Sequence, residues 1–142
     1  MSLDTLIKKA LAKQPTIKPR TKRNAQPEAA EQAKVIAWAR ANERNYPFLW
    51  MLHSSLNGAK RTKANGDKLV QQGMLTGVPD LLLPVKKGHF SGLYIEMKSA
   101  KGRVSIEQSR FLTAVSENDY SAHICYSADD AIDKIKGYYL SI

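Results

Sequence analysis

Residues 77–108 read GVPDLLLPVKKGHFSGLYIEMKSAKGRVSIEQ, with an acid ahead of one apolar run and an acid and a lysine inside the next. PDLLLPV and GLYIEMKS have strand character, and KKGHFSG between them has the glycine and polar content of a hairpin loop, which predicts an antiparallel pair. Residues two apart in a strand share a face, so Glu96 and Lys98 project together with Tyr94 while Leu93, Ile95 and Met97 face the other way. Across the hairpin, Asp80 at the start of one strand comes near Glu96 at the end of its partner. Two converging carboxylates repel, and each raises the pKa of the other unless a cation sits between them. Oxygen ligands with room for water suit Mg²⁺ or Mn²⁺, whereas one cysteine and three scattered histidines give no zinc cluster. Such an ion suits phosphodiester hydrolysis, in which Lys98 either stabilises developing charge or orients and deprotonates the attacking water. Taken singly, Glu96 and Lys98 read as a surface ion pair and Asp80 as a turn residue; the joint spacing is what points to chemistry.

Outward from this stretch, Ser105 predicts the start of a helix running to about Glu117. A strand over AHICYS and a closing helix over ADDAIDKIKGYYL follow, with Ala131, Ile132, Ile135 and Tyr138 or Tyr139 inward. Upstream, EAAEQAKVIAWARANER after Pro27 is a strong helix former with acids near its positive end. FLWMLHSS reads as a strand, Asn57-Gly58 and Asn65-Gly66 as turns, and a short helix is expected around Lys68 to Leu75. Residues 2–12 have helical apolar spacing, and KQPTIKPRTKRNAQP is a basic, proline-rich arm. The predicted order from residue 26 is α-β-α-β-β-α-β-α, behind an N-terminal helix and arm over residues 1–25. His53, His89 and His123 are assigned no chemistry, and Trp38 and Trp50, set among apolar neighbours, are expected in the core.

The 142 residues contain 22 Lys and Arg against 13 Asp and Glu, a formal charge of +9, and are 43% hydrophobic. That size and composition suit one domain with its own core. The charge favours a polyanionic partner, nucleic acid first. No run approaches the ~20 apolar residues of a spanning helix and no secretory leader is evident, so no membrane association and a reducing cytoplasm are expected. A basic structural or membrane-surface protein is a rival reading that rests on the amphipathic N-terminal stretch.

GVPDLLL, YIEMKSAKGRVSIEQ and the closing strand and helix resemble the PD-(D/E)xK nuclease superfamily, and within it the VRR-NUC branch of phage and bacterial nucleases. The likeness spans residues 26–142. It implies an α/β, restriction-endonuclease-like core with a central mixed sheet flanked by helices, and an endonuclease that cuts DNA with Mg²⁺ or Mn²⁺. On the matching motif letters, Asp80 and Glu96 are the implied metal-binding acids, with the Met97 carbonyl a further ligand, and Lys98 is the implied catalytic lysine. Glu28, four residues before Gln32, fits the branch's acid on the first helix; Glu31 competes for that role. Gln108 matches a glutamine kept near the active site, and Ser105-Ile106-Glu107-Gln108 equally reads as a capping box. LNGAKR resembles a segment of phage members, which makes Asn57, Lys60, Arg61 and Lys63 candidates for DNA contact or simply a basic turn. Stand-alone members resemble Holliday-junction resolvases, implying branched DNA and a homodimer in the cytoplasm of a bacterial or phage-infected cell. The alternative is a nucleic-acid binding module that keeps the fold without cleavage.

Overall fold

The computed structural model describes residues 2–6, 26–56 and 62–141. The elements in chain order are helix α1 (Gln26–Ala41), a 3₁₀ turn (Leu49–Met51), strand β1 (His53–Ser54), helix α2 (Lys63–Gln71), strands β2 (Leu81–Leu83) and β3 (Gly92–Met97), helix α3 (Ile106–Glu117), strand β4 (Tyr120–Cys125) and helix α4 (Ala128–Tyr139). The α-β-α-β-β-α-β-α order matches the expectation from residue 26 onward. Of the helix expected over residues 2–12, residues 3–6 are helical and Leu3 packs on the α3 side of the sheet. The basic arm lies outside the described residues.

The sheet runs β1-β2-β3-β4. β1–β2 and β2–β3 are antiparallel, while β3–β4 are parallel and joined through α3, as a parallel pair requires a crossover. The side chains of β3 sort by the period of two. Leu93, Ile95 and Met97 enter the main core with Leu81, Leu83, Val35 and Ala39. Tyr94, on the opposite face, packs against a smaller cluster of Val104, Leu112 and Ala122 beneath α3.

The last helix buries Ala128, Ala131, Ile135 and Tyr138, one stripe at helical spacing. Its first turn is tied down twice. Ser127 Oγ accepts from Asp130 N at 3.0 Å, and the Glu31 carboxylate on α1 accepts from Ala128 N at 2.8 Å. A carboxylate at a helix N-terminus meets both an orphan donor and the positive end of the dipole, which pulls the Glu31 pKa down.

Three expected elements are placed differently. FLWMLHSS is mostly a 3₁₀ turn, with only His53 and Ser54 in the ladder. Leu49 and Leu52 are both fully buried, a spacing of three that suits a 3₁₀ turn and not a strand. Phe48 enters the turn at φ 66°, a left-handed backbone costing about 1–3 kcal/mol for such a side chain. Helix α2 begins about a turn earlier than expected, because the Thr62 hydroxyl caps Asn65 N at 3.2 Å; Asn65-Gly66 is therefore inside a helix and not a turn. β4 starts at Tyr120, two residues before AHICYS, directly after Asp119 turns the chain at φ 66°. Trp38 packs against the core as expected, but Trp50 stands in solvent.

Candidate active site

The β2–β3 register pairs Leu81 with Ile95 and Leu82 with Tyr94. Continued by one residue, it sets Asp80 opposite Glu96. Asp80 turns its Oδ2 onto the Met97 backbone N at 2.8 Å, which fixes the carboxyl at the end of β3. Lys98 continues the strand, donating its backbone N to Cys125 O at 2.8 Å, and so shares the face of Glu96. Its Nζ stands 3.3 Å from Glu96 Oε1. Both side chains are buried, Glu96 at 2% and Lys98 at 6% exposure.

Gln108 belongs to α3 and reaches the same group. Its Oε1 accepts from Ser105 N at 2.9 Å, closing a capping box in which Ser105 Oγ accepts from Gln108 N at 3.1 Å. Its Nε2 donates to Glu96 Oε1 at 2.8 Å. One amide thus fills both of the places between which the sequence left a choice. The cap settles the rotamer, and the rotamer aims the donor at Glu96.

Glu28, on the first turn of α1, sends Oε1 to Ser99 N at 3.0 Å. A side chain at Gly102 would stand 3.0 Å from that same oxygen, so the glycine leaves room for the carboxylate against the loop after β3. Glu28, Asp80, Glu96, Lys98, Ser105 and Gln108 line one cleft of about 250 Å³. Met74, Thr76, Gly77 and Val78 form its other wall. From sequence, GVPD was singled out for its acid, and none of these four residues was expected to line the site; the available signal was Gly77, which has φ +95° and presses so closely on Glu107 that a Cβ would meet its backbone at 2.7 Å. Only glycine fits both demands.

Glu31 does not enter this cleft, being engaged at α4, and Gln32 donates to Ser54 Oγ at 3.2 Å. Met97 buries its side chain in the core on the opposite face, leaving only its backbone toward the acids. Lys63 is exposed at the start of α2. Asn57, Lys60 and Arg61 lie outside the described residues. No histidine lines the cleft. His123 is bonded to Ser121 Oγ at 2.9 Å, and burial, then the nearby Lys134, push its pKa down to about 4.

Electrostatically the cleft is unbalanced. Burial, then the Asp80 charge, push Glu96 up to about 8, against the pull of Lys98. Glu96 Oε1 takes both donors, while Oε2 is buried with no hydrogen-bond partner. A buried acceptor left so costs on the order of 1–3 kcal/mol, more when charged. A cation at Oε2 would satisfy it and offset the repulsion from Asp80. Among the described residues no three His, Cys, Asp or Glu side chains form a ready-made cluster. The donor set is therefore two carboxylates supplemented by backbone and water, which fits a hard, hydrated cation and not zinc.

The VRR-NUC domain model matches residues 17–129. The chain belongs to the VRR-NUC family. A solved structure described as "VRR_NUC domain protein" superposes on this VRR-NUC chain with a TM-score of 0.65 and 22% identity, covering 79% of this chain and 87% of that one. That likeness shows the fold, a mixed sheet with flanking helices, and membership in the family is consistent with a PD-(D/E)xK core. A search of curated proteins gives no match. Membership in the VRR-NUC family gives the activity class as nuclease and the substrate class as DNA. Among the described residues no helix is long and apolar enough to cross a membrane.

Proposed function

We propose that this VRR-NUC domain is a Mg²⁺- or Mn²⁺-dependent endonuclease that hydrolyses phosphodiester bonds in structured or branched DNA. The observation that carries the reading is the partnerless Glu96 Oε2 in a cleft shared with Asp80 and Lys98. Asp80, Glu96 and the Met97 carbonyl would hold the ion. When bound, it supplies a Lewis acid for the phosphoryl oxygen and acidifies a water.

The remaining work falls to the chain's own groups. Gln108 holds Glu96 in one rotamer through the bond to Oε1 and leaves Oε2 without a donor. Lys98 Nζ, buried beside the acids, supplies positive charge where the phosphorane gains negative charge, or orients the attacking water. Glu28, anchored on Ser99 N, adds a third carboxylate at the cleft wall to position that water. A four-way junction presents two symmetry-related strands, so resolution of junctions calls for a homodimer.

The test incubates wild type, Asp80→Ala and Lys98→Ala with junction, flap and linear DNA under Mg²⁺, Mn²⁺ or EDTA. Wild type is expected to cut a branched substrate in at least one metal and not in EDTA, and both variants to lose cutting while still binding. Binding without cutting by wild type in every metal would sink the reading and favour a non-catalytic module.

A further inference from the structure

The 3₁₀ turn ahead of β1 carries a surface that the core does not need. Leu49 and Leu52 are its buried anchors, while Trp50 and Phe48 stand 61% and 59% exposed. The turn is held firmly from behind. Arg40 donates to the carbonyls of Trp50 at 2.9 Å and Leu52 at 2.7 Å, and the Tyr139 hydroxyl donates to Pro47 O. Phe48 keeps its left-handed φ of 66°, a backbone that a bulky residue adopts only where its surroundings impose it. Two large rings are thus presented outward on a fixed support.

The charge around them says what fits. Arg40 lies against the turn through its own hydrogen bonds, and Arg44 is exposed just beyond α1. Lys87 Nζ sits 5.0 Å above the ring of Tyr139, whose hydroxyl holds Pro47. Glu43 is the one acid in residues 40–50. With Arg40, Arg44 and Lys87 against Glu43, a polyanion is drawn to such a surface. Exposed aromatic faces among cations are what unpaired bases stack on, independently of sequence.

The position relative to the cleft is set by the chain. From the turn, β1 leads to Ser55, whose N donates to Asp80 O at 2.9 Å. Trp50 therefore lies toward the other end of the sheet edge, about 15–20 Å from the catalytic end of β2, a few nucleotides of DNA. We propose that Phe48 and Trp50 form a stacking platform for the unpaired bases of a single-stranded arm whose phosphate backbone continues into the Asp80–Glu96 cleft. This deepens the nuclease reading and rests on it for the second half of that statement.

The test uses the full chain in EDTA, so that binding is read without cutting, with a fluorescein-labelled oligothymidine and a blunt hairpin duplex as probes. Trp50→Ser is expected to weaken oligothymidine binding on the order of 10-fold, with hairpin binding unchanged. The same affinity should fall in Phe48→Asn, which keeps a residue tolerant of left-handed backbone, and return in Trp50→Phe. Quenching of tryptophan fluorescence by oligothymidine should disappear in Trp50→Ser although Trp38 remains. Unchanged oligothymidine affinity in both ring-removing variants overturns the platform. So does a loss of affinity that tracks a fall in sedimenting mass without DNA, which would make the patch a contact between copies. If wild type cuts no DNA yet these binding results hold, the nuclease reading fails and the platform stands.

Discussion

Replacing Glu96 by Gln should stabilise the metal-free protein while abolishing its chemistry. In the folded chain, burial and the Asp80 charge raise the Glu96 pKa from the ordinary 4.5 to about 8. The folded state then holds a proton that the unfolded state releases, so stability falls as pH rises between those values. The contribution is complete below about 4.5 and gone above about 8. Such a shift corresponds to an upper value of about 4–5 kcal/mol, and water in the open cleft reduces it to roughly 3 kcal/mol. For a 142-residue chain, this is about 10 °C in Tm. The amide keeps an acceptor for Gln108 and Lys98 and turns an N–H toward Asp80 in place of a charge. Thermal unfolding in EDTA from pH 4.5 to 9 should show a wild-type Tm that falls relative to the Glu96→Gln Tm as pH rises to about 8, on top of a rise below pH 6.5 that His123, its pKa pushed down to about 4, gives both proteins alike. Adding Mn²⁺ at pH 8 should raise the wild-type Tm and leave the variant unmoved. Parallel pH profiles for the two proteins would refute the argument that an ionised, unpartnered Glu96 opposes folding.

Three further outcomes follow from neighbouring contacts. Gln108→Glu retains an acceptor for Ser105 N but sets a further carboxylate, not a donor, against Glu96 Oε1, so nicking should fall at least 10-fold and Tm should drop more at pH 8 than at pH 5, whereas Gln108→Ala, in which the cap and its ~1 kcal/mol go, should lower Tm without that added pH dependence. Gly77→Ala must escape both φ +95° and a 2.7 Å approach to the Glu107 backbone; a cost of about 2 kcal/mol or more is expected in chemical denaturation, with weakened cleavage because the displaced loop carries Asp80. Glu28→Gln and Glu31→Gln should separate cleanly. The first should reduce cleavage with little change in Tm, and the second should lower Tm with specific activity retained, since Glu31 holds the start of α4.

The β2–β3 hairpin and its acids were legible because a period of two admits no compromise: once Leu93, Ile95 and Met97 claim the core, Glu96 must face the other way with Lys98. The start of α3 was legible from Ser105, whose side chain caps its own helix, whereas Ser127, which caps α4, was read as the end of the preceding strand. Gln108 was legible only as a choice, because a capping box and a bond to Glu96 leave the same residue type at the same place. The Met74–Val78 wall was not legible, since its position depends on where Gly77 meets Glu107, a contact between segments 30 residues apart in sequence.

The two surprises in the molecule differ in kind, and the difference explains why one was found early. A buried acid and lysine in an apolar strand contradict their local surroundings, and such a conflict survives only where function offsets it, so the site is visible as a broken rule. Phe48 and Trp50 break no local rule: aromatic residues in FLWMLHSS are what an interior strand contains. Their exposure is decided by Arg40, which takes the carbonyls of Trp50 and Leu52 that a strand would have given to its neighbour. The β1–β2 register would also set Met51 against Pro84, which has no N–H, and Trp50 against Val85, whose N already donates to Leu83 O, so the ladder stops at His53, the chain tightens into a 3₁₀ turn that buries Leu49 and Leu52, and the rings between and before them have only the outside left. An arginine on a helix ten residues away and a proline just after the facing strand thus convert an apparent core strand into an aromatic surface, and no periodicity within the strand could have reported it.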